Sequence, residues 1–155
     1  MAAEPGPLSF FAEGTPAPQG SKTLGRTRGG RPIILEGRDS SQRARITGWR
    51  NAVVLQASAA LGRAGRRTPM LGPVGVDLLF IHNRPKSTPA GQRWRTKTPD
   101  LDKLARSTLD ALKIAGAFGD DNQVAELVAR KVLSHPHETP GVHITIRPLD
   151  HAEAP

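Results

Sequence analysis

Five aspartates carry the first chemical signal: Asp100, Asp102 and Asp110, with Asp120 and Asp121 close behind. Their setting is basic, because Arg84, Lys86, Arg93, Arg95 and Lys97 precede them in one short stretch. Carboxylate oxygens suit hard cations such as Mg²⁺ and Mn²⁺, while Lys and Arg neutralise phosphates. Acids gathered inside a basic surface therefore point to a metal-dependent nuclease, in which the metal polarises a phosphoryl oxygen and activates water. The same spacing admits plainer readings. Asp100 and Asp102 suit a helix N-terminus through its macrodipole, and Pro99 suits a first helical turn. Asp102, Arg106 and Asp110, spaced i, i+4, i+8, make a solvated salt-bridge ladder. Asp120, Asp121 and Asn122 are also what a turn needs.

The rest of the chain narrows the partner. Its 155 residues hold 22 Lys and Arg against 14 Asp and Glu, a formal net charge of +8. That balance favours a polyanion. The basic stretches are rich in Gly, Pro, Ser and Thr, so nucleic acid is expected ahead of a membrane surface. There is no cysteine, which excludes disulfides, thiolate zinc sites and a cysteine nucleophile. No apolar run approaches the ~18 residues of a membrane span. The opening MAAEPGPLSFF has neither the basic nor the apolar region of a signal peptide, so a cytoplasmic, DNA-associated protein is expected. Gly20-Ser21-Lys22-Thr23 lacks Walker A spacing. His135, His137 and His143 form no convincing zinc set. No acid-x-Lys tripeptide follows Pro99-Asp100 to complete a restriction-type site.

The elements that must position these acids follow from periodicity. Leu8–Glu13 and Pro32–Glu36 read as strands, with residues 14–31 as a loop between them. From 40 to about 61, Ile46, Trp49, Val53, Ala57 and Ala60 recur every three or four residues, an amphipathic helix with Asp39, Ser40 or Ser41 as its cap. Val74–His82 is the strongest strand, and 83–98 a polar, basic loop. A second helix is expected from about 100 to 115, with a stripe of Leu101, Leu104, Thr108, Leu112 and Ala115 and Gly116 as its stop. Strands at Val124–Leu133 and 141–147 close the domain. The order β-β-α-β-α-β-β implies an α+β fold: a mostly antiparallel sheet with two main helices on one face. Residues 8–147 read as a single domain, with frayed tails at 1–7 and 148–155.

TPDLDKLARSTLDALKIAGAFGDDNQVAELVARK resembles the signature stretch of the RusA family of Holliday-junction resolvases. Its elements are a DxD, a DAL, a Gly-containing turn and a DDxQV. PAPQGSKT at 16–23 is similar to the entry segment of phage-type members. The resemblance implies an α+β homodimer that cuts branched DNA, the Holliday junction, with Mg²⁺ or Mn²⁺. By position it makes Asp100, Asp102 and Asp121 the essential acids, with Asp120 as the other half of the acidic pair. Two positions depart from the family. Its Asn after the second Asp is Lys103 here, and its essential Lys is Arg106. Arg keeps the charge and grips phosphate, but does not readily give up a proton.

Asp102 to Ala115 spans thirteen helical steps, roughly 20 Å at ~1.5 Å each. Asp121 of the same chain therefore starts near the wrong end of the helix. Either two antiparallel helices across a two-fold axis bring Asp100 and Asp102 toward the partner's Asp121, a metal site shared between subunits, or the strand after Asp121 carries it back beneath its own helix. Lys22, Arg26, Arg28 and Arg31 lie in a Gly-rich loop, and Arg84, Lys86, Arg93, Arg95 and Lys97 in a second. With Lys103 they are the expected phosphate contacts. Trp94 either stacks on an unpaired base or anchors its loop; Trp49 belongs to the core.

Overall fold

The computed structural model describes residues 6–19, 22–36 and 39–155. Three strands lead the chain: β1 (Leu8–Glu13), β2 (Lys22–Arg26) and β3 (Pro32–Glu36). Then follow α1 (Ser40–Arg63), β4 (Val74–His82), α2 (Leu101–Ile114), a 3₁₀ turn at Asp121–Gln123, β5 (Val124–Leu133) and β6 (Gly141–Pro148). The main sheet has the order β1-β6-β4-β5, and β2 and β3 form a separate hairpin.

The helix stripes read from the sequence pack as expected. Ile46, Trp49, Val53, Ala57 and Ala60 of α1 are buried, as are Leu104, Thr108 and Leu112 of α2. They join Leu8 and Ala12 of β1, Val74, Val76, Leu78 and Phe80 of β4, and Val142, Ile144 and Ile146 of β6 in one core. The register makes these one sheet face: Ile146 pairs with Leu8 on one side and Val76 on the other, and Ile144 with Phe10 and Leu78. Both main helices thus cover the same face. Asp39 caps α1, accepting from the Gln42 N–H at 2.8 Å. Trp49 lies 6.5 Å from Phe80, ring to ring.

The structure extends one expectation and corrects two. First, two of the three pairings in the main sheet are antiparallel, as expected, but β4 and β5 pair in parallel, so the sheet is mixed at that edge. The reason is α2: a helix between two neighbouring strands returns the chain to the end where the first strand began. Second, the segment 14–31 is not all loop. Lys22–Arg26 pairs antiparallel with Pro32–Glu36 around a turn in which Gly30 has φ 79°. KTLGR has no alternation of apolar and polar residues, so its sequence gives no strand signal; pairing with β3 makes it a strand. Third, the C-terminal segment keeps structure past 147. Leu149 donates to the Pro73 carbonyl at 2.9 Å, and Asp150 caps a 3₁₀ turn at His151–Glu153.

Candidate active site

The first acid pair stands at the N-terminus of α2. Asp100 is its N-cap, in extended conformation (φ −69°, ψ 139°), and its side chain makes no capping hydrogen bond. The carboxylate lies instead 3.2 Å from the Lys103 ammonium. Asp102, in the first turn, is exposed and has no side-chain partner among the described residues. Arg106 is exposed one turn further on. Pro99 precedes the cap and so lies outside the first turn. The salt-bridge ladder does not form: Asp110 reaches Arg50 of α1 at 3.4 Å and ties the two helices together.

The second pair lies beyond the other end of α2. The helix closes in a full Schellman motif: Ala117 N–H donates to the Leu112 carbonyl and Gly116 N–H to that of Lys113, both at 3.0 Å. Gly116 takes φ 80°, which glycine adopts without steric cost. Lys113 in the last turn bridges Asp120 and Asp121, at 3.1 and 3.3 Å. Hydrogen bonding with Asp121, then with Lys113, holds the Asp120 carboxyl down at about 2. The two carboxylates raise the Lys113 ammonium in return, the Asp120 hydrogen bond first.

Gln123 fixes this turn with all four valences of its amide. Its oxygen accepts from Gly119 N–H (2.7 Å) and Asp120 N–H (3.0 Å). Its nitrogen donates to the carbonyls of Met70 (3.0 Å) and Gly72 (2.8 Å). The acid pair is thereby latched to the segment entering β4. Gln123 was visible in the sequence only as a motif letter. Lys113 and Lys131 gave no signal at all, because a lone Lys on a helix or strand is ordinarily a solvated charge.

The acid pairs are therefore separated by the length of α2, fourteen residues or about 21 Å. β5 does run back alongside the helix, but Asp121 precedes it and stays at the far end. Val124 pairs with Val74 where β4 begins, and Leu133 with His82 where it ends. Among the described residues no three His, Asp or Glu side chains gather as a metal cluster. The donors stand as two pairs, and a pair suits Mg²⁺, which is commonly held by one or two carboxylates and completed by substrate phosphates.

The basic residues divide into committed and uncommitted groups. Arg93 forks onto Glu138 (2.6 and 3.1 Å), holding that carboxyl at about 2, and also donates to the Leu133 carbonyl. Arg84 donates to the carbonyls of Ser134 (2.8 Å), Pro89 (3.3 Å) and Gln92 (2.5 Å). Arg95 donates to that of Thr98. These three brace the loop 83–98 from within. Lys86 and Lys97 are exposed on it, and so is Trp94, 63% accessible beside a bridge to Val132. Arg26, Arg28 and Arg31 are exposed on the hairpin, and Lys22 opens β2.

His82 ends β4 at the Asp100 side, 4% exposed, with no partner for its Nε2. Burial, then the charges of Arg95 and Lys131, push its pKa down to about 4. Between the ordinary 6.5 and about 4 the unfolded chain takes a proton that the native chain refuses. Stability is thus complete above pH ~6.5 and falls as the pH drops to ~4, by on the order of 3 kcal/mol. Urea midpoints at pH 7 and pH 4.5 should show this loss, and His82→Leu should flatten the slope.

The sequence matches the family described as Endodeoxyribonuclease RusA over residues 13–147. The chain belongs to the RusA family. The match covers both helices, the main sheet from the last residue of β1 to the penultimate residue of β6, and Asp100, Asp102, Asp110, Asp120 and Asp121. Family membership gives the protein an endodeoxyribonuclease role, and the mixed sheet with two main helices is consistent with it. No curated protein matches this RusA-family chain. Among the described residues no helix is long and apolar enough to cross a membrane.

Proposed function

We propose that the protein is a homodimeric, Mg²⁺- or Mn²⁺-dependent endodeoxyribonuclease. It resolves Holliday junctions by paired symmetric nicks, in recombination and repair of cytoplasmic DNA, using residues 8–147 as one domain. One observation carries this reading: a RusA-family chain places two exposed acid pairs at opposite ends of one helix. A single chain leaves both sites half-built, and a two-fold partner completes each. Asp100 and Asp102 of one subunit, with Asp121 of the partner subunit and Asp120 beside it, would hold the metal. The chemistry that Mg²⁺ or Mn²⁺ supplies there, when bound, is Lewis-acid polarisation of the phosphodiester.

The chain's own residues do the rest. Arg106, one turn below Asp102 and exposed, offers its guanidinium to the scissile phosphate and the charge that develops on it. Lys22, Arg26, Arg28, Arg31, Lys86 and Lys97 contact phosphates along the arms. Arg84, Arg93 and Arg95 act on DNA through the loop they brace. Lys103 neutralises Asp100, and would have to release that carboxylate for it to serve as a ligand. Trp94 offers a ring to a base at the crossover.

Two features favour a second reading, a branched-DNA binder with weak or no catalysis: Lys103 lies against Asp100, and Arg106 stands where the family resemblance calls for Lys. Both readings meet one test. Purified protein is incubated with an end-labelled four-way junction or a matched duplex, with Mg²⁺, Mn²⁺ or EDTA. Symmetric nicks in the junction alone, lost in EDTA, are expected. Tight junction binding without any nick overturns the nuclease in favour of the binder.

A further inference from the structure

β5 runs back beneath α2 and delivers a cation, not an acid, to the Asp100 end. Lys131 pairs in register with Phe80, so it lies on the helix-covered face of the sheet. Its Nζ donates to the carbonyls of Lys97 (2.9 Å) and Pro99 (2.7 Å). The carbonyl between them, on Thr98, accepts from Arg95. Three successive carbonyls, 97 to 99, are thus held by two cations, and the next residue is Asp100.

This arrangement costs free energy. Burial, then the charge of Arg95, pushes the Lys131 ammonium down from its usual range, and Asp100 opposes both. Two like charges share one short segment. The two cations fix the peptide planes before a cap residue whose carboxylate makes no capping hydrogen bond and lies 3.2 Å from Lys103.

We propose that Lys131 is a positioning residue for Asp100: by holding the carbonyls of Lys97 and Pro99 it sets the backbone from which the Asp100 carboxylate is aimed at a divalent cation. The inference rests on the proposed role of Asp100 as a ligand. It assigns to β5 the support that metal-ligating carboxylates ordinarily receive from an outer shell.

The test uses the full-length protein, and Mn²⁺ as the probe. Binding is followed, in the absence of DNA, by loss of the free-ion paramagnetic resonance signal. Lys131→Met is expected to weaken Mn²⁺ binding roughly 10- to 100-fold. Junction affinity in EDTA should stay unchanged, and cleavage should return at saturating Mn²⁺. Lys131→Gln, which keeps a neutral donor, is expected to fall between wild type and Lys131→Met, and it carries the test if the Met variant does not fold. Wild-type Mn²⁺ affinity in the folded Lys131 variants, with only a lowered melting temperature, would make Lys131 a loop staple and overturn the inference. Asp100→Asn serves as comparator. If it leaves Mn²⁺ affinity unchanged, the ligand role of Asp100 fails and the inference falls with it. If Asp100→Asn abolishes binding while the Lys131 variants do not weaken it, the inference alone fails.

Discussion

Asp102→Asn protein is expected to bind a four-way junction as tightly as the wild type and to cut it about 10³-fold more slowly. Asp102 has no partner among the described residues to lose, and it is exposed in the first turn of α2. Asn keeps the shape and some of the favourable interaction with the helix N-terminus, so the fold should not notice the change. The loss falls on metal-assisted stabilisation of the developing charge. That is worth several kcal/mol, and ~4 kcal/mol corresponds to about three decades in rate. Single-turnover cleavage at saturating protein, with gel-shift affinity measured in EDTA, separates the two quantities. Equal loss of binding and cleavage would remove Asp102 from the ligand set.

The second large effect concerns how many chains build one site. Asp102→Asn and Asp121→Asn subunits, each inactive alone, are purified as a mixed dimer through two different tags. A shared site predicts recovery. One of the two sites receives Asp100 and Asp102 from the Asp121→Asn chain and Asp121 from the other, and is intact. The product is a singly nicked junction, formed at roughly half the per-dimer rate of the wild type. If each chain supplied its own three acids, both sites would be broken and no nick would form. The lengthwise separation of the acids along α2, about 21 Å, favours recovery.

Much of this molecule was legible in its residues, for physical reasons that also explain what was not. β4 and β5 match the expected spans: β4 announces itself by its long apolar run, and β5 by the Val and Leu residues spread along it. Both helix stripes were readable because burial imposes its period on the sequence. The parallel pairing of β4 with β5 was not seen, although the intervening helix requires a crossover. β2 was hidden because its residues do not alternate between apolar and polar, and its Leu24 stands 82% exposed. The acids were singled out by type and spacing. Their supports were not: Gln123 touches Met70 and Gly72, some fifty residues away, and Lys131 touches Lys97 and Pro99 across the turn of a whole crossover. Such contacts are made by tertiary folding and leave no local mark. The internal partners of Arg84, Arg93 and Arg95 were hidden for the same reason, since they too are met only in the folded chain.

The stop at Gly116 and the latch at Gln123 give α2 the character of a calibrated spacer. Loop tips elsewhere in the chain can gain or lose residues and alter only their own course. A residue added inside α2 would rotate everything beyond it by about 100° and shift it ~1.5 Å along the axis. The turn holding Asp120 and Asp121 cannot follow, because Gln123 pins it to the carbonyls before β4. The interval between the two acid pairs is thus a dimension that natural variation can hardly edit by insertion. Change there must come by substitution, one side chain at a time, as at Lys103 and Arg106.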